Sequence, residues 1–304
     1  MTSPTEPKTR TRSHVLLQFL LLALTWGASF LFVAIALDGL SPAQVVLGRL
    51  VTGAVVLAAI CLIGRHRLPP FGRVWGHLLV VSLLLCVIPF LLFAWAQQDI
   101  SSGLASIYNA TTPLMTMLIS LIALREERPT TARTVGIAVG FLGVMVVLGP
   151  WSGVGSGTAL AQLACLGATA SYGAAFVYLR RFVSPRGYAA IPVATVQVGL
   201  GAVVMLALAP AVAVAPVSLT ATVVWSVLAL GALGTGLAYV WNTNVVGAWG
   251  ATNASTVTYL TPVVGVALGV MILAEQVSWN EPVGAVIVIL GIAITQGRIR
   301  VARG

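Results

Sequence analysis

Apolar residues run for about twenty positions at a time along this chain, and polar or charged residues cluster in the short stretches between the runs. A helix needs about 20 apolar residues to cross a bilayer's hydrocarbon core, where each backbone polar group must be satisfied within its own segment. The pattern predicts an all-α integral membrane protein with ten transmembrane helices. Their approximate cores are 15–37, 41–63, 76–98, 101–124, 133–149, 157–179, 189–212, 219–245, 251–274 and 282–297. The connections are short and leave no room for a soluble domain. The first run follows Lys8, Arg10 and Arg12 as a signal peptide would, but "LLQFLLLALTWGASFLFVAIAL" continues past the 7 to 15 residues of a cleavable core, so it reads as a retained helix.

Composition supports this reading. Charged residues make up 8% and hydrophobic residues 59%, against about 25% charged in soluble proteins. Charge then assigns an orientation, because Lys and Arg concentrate on the cytoplasmic side. Lys8, Arg10 and Arg12 precede helix one, and Arg65, Arg67 and Arg73 follow helix two. Arg125, Arg128 and Arg133 follow helix four, Arg180, Arg181 and Arg186 follow helix six, and Arg298, Arg300 and Arg303 close the chain. The intervening connections hold Asp38, Asp99, Glu275 and Glu281 instead. Fifteen of sixteen basic residues thus place both termini in the cytoplasm of an inner or plasma membrane; the exception, Arg49, lies inside helix two. The net charge of +9 is mostly this orientation signal and calls for no nucleic-acid partner. Cys61, Cys86 and Cys165 all lie within apolar runs and suggest neither disulfides nor a metal site.

The chain also repeats itself. "TPLMTMLISLIALREE" from Thr112 has a counterpart in "TPVVGVALGVMILAEQ" from Thr261, and Pro113 and Pro262 stand 149 residues apart, each with a glutamate at the same distance, Glu126 and Glu275. Trp26–Phe30 (WGASF) parallels Tyr172–Phe176 (YGAAF), and Gly53–Leu57 (GAVVL) parallels Gly201–Met205 (GAVVM), a register that sets Gln197 opposite Arg49. Gly136 and Gly143 match Gly284 and Gly291. Copies five helices apart run in opposite directions, so the repeat is inverted, as in many secondary transporters. The expected organisation is a cytoplasmic tail (1–14), a first five-helix repeat (15–149), an external linker (150–156), a second five-helix repeat (157–298) and a second cytoplasmic tail (299–304).

Two five-helix halves, a tryptophan-glycine start, an arginine in helix two and proline followed by glutamate on helices four and nine resemble the EamA-type permeases of the drug/metabolite transporter superfamily. The resemblance implies a central cavity made largely by helices one to four and six to nine, a small-molecule substrate, and export by alternating access. It names no substrate, because the family spans amino acids, other metabolites and drugs.

Within that frame the polar residues of the apolar runs become candidate cavity residues. Helical spacing aligns Ser102, Ser106, Asn109, Pro113, Thr116 and Ser120 on helix four, and Ser255, Thr258, Pro262, Gly265 and Gly269 on helix nine. Such stripes either line a cavity or pack helices closely, and the sequence leaves both open. Pro113 and Pro262 each remove a backbone donor and serve as kinks or gating points. Arg49 lies roughly 12 Å into helix two at 1.5 Å per residue. An unpaired charge there costs about 3 kcal/mol or more. Its partner is either an anionic substrate group or a set of backbone and amide oxygens. Trp26, Tyr108, Tyr172, Gln197, Tyr239, Asn242 and Tyr259 complete the candidates. An aromatic face with a polar edge suits an amphipathic metabolite.

The same residues weigh against other classes. No paired membrane aspartates, His-rich cluster or serine-histidine arrangement suggests an enzyme, and no cofactor or metal is expected. The glycine-rich run Gly153–Gly157 has no preceding strand, so it reads as a linker rather than a nucleotide loop. No carboxylate lies within an apolar core to relay protons directly, which leaves facilitated export, exchange or another coupling route, with import by the same fold as the alternative direction. A channel or a membrane scaffold would use glycine pairs such as Gly136 with Gly140 and Gly265 with Gly269 for association within or between chains. The sequence is silent on oligomeric state.

Overall fold

The computed structural model describes residues 12–123, 130–149, 156–250, 254 and 256–299. Among these, every regular element is helical. Eight helices are long and apolar enough to cross a membrane. They are α1 (Arg12–Leu37), α2 (Pro42–Ile63), α3 (Arg73–Ala96), α4 (Ser102–Ala123), α5 (Thr131–Leu148), α6 (Ser156–Phe182), α7 (Ala190–Val212) and α8 (Ala221–Trp249). Two shorter apolar helices follow, α9 (Val257–Leu273) and α10 (Asn280–Thr295), of 17 and 16 residues. The sequence pattern gave α9 a longer core, 251–274, and gave α10 a core of the same length set two residues later, 282–297. The difference for α9 lies at its ends: residues 251–253 and 255 are outside the described set, and Ala274 turns left-handed (φ 53°) to close the helix before Glu275. The glutamate of the first copy, Glu126, the linker before Ser156 and Ser255 also fall outside the described residues.

The helix pairings exchange when each helix is replaced by its counterpart in the other half. α1 packs on α8 and α9, and α6 packs on α3 and α4. α2 packs on α8 as α7 packs on α3. α2 with α7, α4 with α9 and α5 with α10 pair counterpart with counterpart. This arrangement fits a fold built from two repeats.

Glycine sets the closest approaches. A Cβ on Gly291 would lie 2.7 Å from the Gly136 carbonyl oxygen, and one on Gly143 would lie 2.6 Å from the Val288 nitrogen, so α5 and α10 touch backbone to backbone. Gly265 faces Ser106, and Gly269 faces both Ser102 and Glu275 across the α4–α9 crossing. The glycine pairs that left association within or between chains open are therefore used within this chain. Outward faces carry Leu20, Leu24, Val203, Leu206 and Val263, exposed on the isolated chain as lipid-facing residues are.

Regular helix is interrupted at three places, of which only the last was marked in the sequence, by Pro113. α3 widens into a π segment at Leu83–Val87, and α8 does so at Ala232–Leu237. Cys86 and Thr235, within them, are separated by the same 149 residues as the two prolines. The third is a break in α4 between Asn109 and Thr112, just before Pro113. Proline has no N–H to offer the carbonyl of Asn109 one turn back, and Thr112 Oγ1 donates to that oxygen at 2.8 Å, while Tyr108 O accepts both Thr111 N at 2.9 Å and Thr111 Oγ1 at 2.8 Å. Pro262 sits inside an unbroken α9.

Candidate functional site: a cavity between the two halves

Helices of both halves enclose a cavity of about 640 Å³. Its wall is aromatic, with Trp26 and Phe30 on α1, Phe90 and Phe93 on α3, Tyr172 and Phe176 on α6 and Tyr239 on α8. Phe30 meets Phe93 edge-on at 5.5 Å, and Phe93 meets Tyr172 at 6.2 Å. These contacts join Phe30, Phe93 and Tyr172 into one aromatic patch of the wall. Polar groups interrupt it: Ser29, Gln97, Asn109, Thr112, Thr116, Asn242, Thr258 and Thr261. No carboxylate among the described residues lines it.

Arg49 reaches this cavity from α2. Its Nε donates to Thr235 Oγ1 at 3.1 Å, and its guanidinium lies 3.8 Å over the Phe90 ring. One hydrogen bond and one cation–π contact thus offset part of the cost of the charge. The counterpart residue behaves in a related way. Gln197 is fully buried behind the wall; its Nε2 donates to Cys86 Sγ at 3.3 Å and to Tyr239 Oη at 3.2 Å. In each half, then, a polar residue on the second helix bonds to the π segment of a third helix.

The two polar stripes divide by depth. On α4, Asn109, Pro113, Thr116 and Ser120 line the cavity, whereas Ser102 and Ser106 are buried against α9, with Ser106 Oγ donating to Gly103 O at 2.6 Å. On α9, Thr258 lines the cavity, but Pro262, Gly265 and Gly269 pack against neighbouring helices. Tyr108 and Tyr259 do not line it. Tyr108 Oη donates to Gln162 Oε1 at 3.0 Å in the α4–α6 contact, and Tyr259 Oη donates to Gln296 Oε1 at 2.7 Å. Packing and cavity lining therefore occupy different parts of the same stripe.

The two ends of the cavity differ as a result. It extends to the end of the bundle where Ser120, Arg133, Arg180 and Gln296 lie. At the other end α4 and α9 meet, and Glu275 joins them: its Oε1 accepts from Ser102 N at 2.7 Å and its Oε2 from Gly103 N at 2.9 Å. These are orphan amides of the first turn of α4, where a carboxylate is also favoured by the helix dipole. Sequence reasoning found the repeated glutamate but not its partner. It also missed Phe90, Thr235 and Gln296, and it read Arg133 and Arg180 only as orientation charges.

A helical bundle of this hydrophobicity, with a polar-studded cavity shared by two related halves, belongs to the class of multi-pass membrane transporters. The sequence model of the EamA-like transporter family matches residues 14–149 and 159–296, and the chain belongs to that family. It is 27% identical to the uncharacterized inner membrane transporter YedA of Escherichia coli K12 over 91% of this chain and 89% of the relative. It is 26% identical to the uncharacterized transporter YoaV of Bacillus subtilis over 91% of this chain and 95% of the relative. For YdfC of the same organism the identity is 23% over 89% and 87%. A protein crystal structure with 20% identity shares the fold, with a TM-score of 0.63 over 93% of this chain and 96% of the other.

Proposed function

We propose that the chain is a secondary carrier that exports small amphipathic metabolites, amino acids or related compounds, by alternating access. It crosses an inner or plasma membrane ten times as two inverted five-helix repeats, with both termini in the cytoplasm. The observation that carries this reading is the unequal state of equivalent segments. Met117 and Ser120 line the cavity, while Val266 and Gly269, at the matching positions of α9, are packed against α4. Two related halves in different local states are what a carrier caught open to one side requires. The open end carries Arg133 and Arg180, and the positive-inside rule makes it cytoplasmic. Substrate would then be loaded from inside against Arg49, Asn109, Asn242 and the aromatic wall. α9 and α10 cross despite their 17 and 16 residues, because about 1.5 Å per residue brings them close to the thickness of hydrocarbon.

The test compares metabolites released by cells carrying the intact protein, an Arg49→Ala variant at equal membrane level, and an empty vector. A compound enriched outside only with the intact protein is the expected result. Compounds depleted outside by the intact protein would identify import instead.

A further inference from the structure

Building on the carrier reading, we infer that the deep end of the cavity is a receptor for a single carboxylate, and that Thr235 is the residue that positions Arg49 to hold it. A guanidinium has two faces and five N–H donors in a rigid fork. On Arg49 one face is covered by Phe90 at 3.8 Å, and the Nε donor is taken by Thr235 Oγ1 at 3.1 Å. The edge formed by Nη1 and Nη2 remains. It is placed on the cavity side: a Cβ on Gly234, itself part of the cavity wall, would lie 4.0 Å from Nη2. Two parallel donors on a planar edge match the two oxygens of a planar carboxylate.

Charge balance narrows the class further. The counterpart of Arg49 is the neutral Gln197, already bonded to Cys86 and Tyr239, so the deep part of the site holds one cation and not two. A carboxylate brings one negative charge to it. A phosphate monoester carries close to two at neutral pH and would leave the second uncompensated among aromatic rings. An amine would meet Arg49 without a carboxylate among the described lining residues to offset the repulsion. The ligand is therefore a monocarboxylate on an apolar, ring-sized body.

Thr235 is fixed for this task. Its hydroxyl donates to Leu230 O at 3.2 Å, just ahead of the π segment, which leaves an oxygen lone pair for Arg49 Nε. Without that acceptor the guanidinium loses its lateral anchor and the Nη edge its aim.

Purified protein in detergent is titrated with three probes of similar body, 3-phenylpropionate, 2-phenylethyl phosphate and 3-phenylpropylamine, and binding is followed by thermal shift and by tryptophan fluorescence, since Trp26 lines the cavity. The expected result is that the carboxylate binds at least about tenfold more tightly than the other two, and that Arg49→Gln removes this preference. Thr235→Val keeps the shape but not the acceptor and weakens 3-phenylpropionate about tenfold while leaving the weak amine binding unchanged; Thr235→Ser restores the carboxylate affinity. A loss shared by all three probes would assign Thr235 a merely structural role. Equal binding of the phosphate, no binding of the carboxylate, or carboxylate binding indifferent to Arg49→Gln would overturn the inference. Carboxylate binding without flux in proteoliposomes would remove the carrier reading and keep the receptor, whereas amine flux without carboxylate binding would do the reverse.

Discussion

At the level of single residues, Arg49 and Glu275 are two charges in different settings, one in the cavity wall and one on the first-turn amides of α4. Both were visible as anomalies in an apolar sequence, Arg49 as a cation too deep to reach water and Glu275 as the end of a repeated phrase. Their partners were not visible, because Phe90, Thr235, Ser102 and Gly103 come from other helices, and no local pattern announces a contact across 173 residues. The glutamate has a measurable consequence. Glu275→Ala leaves the Ser102 and Gly103 amides without their acceptor in a packed crossing, and a loss of about 2 to 3 kcal/mol in unfolding free energy is expected. Glu275→Gln keeps one acceptor oxygen and is expected to lose roughly half as much. Thermal unfolding of the purified variants in detergent checks both, and equal stability of Glu275→Ala and the intact protein would remove the capping role.

Among the elements, α5 and α10 make the strongest case for helix association by glycine. In lipid no hydrophobic drive separates one apolar helix from another, so close backbone approach and dispersion hold the pair. This was readable from Gly136, Gly143, Gly284 and Gly291, because small residues on one face are a sequence signature. The π segments were not readable, since widening by one residue depends on what packs against the turn rather than on composition. The break in α4 was half readable: Pro113 marks the place, but Pro262 at the equivalent place leaves α9 whole, so proline permits a break without dictating one. Gly291→Val tests the α5–α10 contact. The side chain would overlap the Gly136 and Gly140 backbones, with an expected loss of about 2 kcal/mol or more, or failure to accumulate in the membrane. A valine at Gly199, where a Cβ meets nothing within 4 Å, is the matched control expected to fold normally.

For the whole molecule, the two halves share sequence echoes and a set of pairings but not a local state, and the proposed carrier mechanism rests on that inequality. α4 is open toward the basic end, and its counterpart α9 is closed toward the other. If the halves are equivalent by inversion, exchanging their states closes the basic end and opens the opposite one, with Val266 taking the place in the cavity that Met117 now holds. The native thiols make this accessible to labelling, because Cys61, Cys86 and Cys165 are all buried and free and form a silent background. In inside-out vesicles Met117→Cys is expected to react rapidly with a membrane-impermeant thiol reagent added from the cytoplasmic face. In right-side-out vesicles Val266→Cys is expected to react slowly, in proportion to the time spent in the opposite state. A transported substrate that pulls the carrier toward one state should raise one rate and lower the other, since a ligand shifts an equilibrium only by binding one state better. Rates that rise together would describe a continuous pore, and a rate at Val266→Cys that stays at zero under every substrate would describe a bundle held in one state.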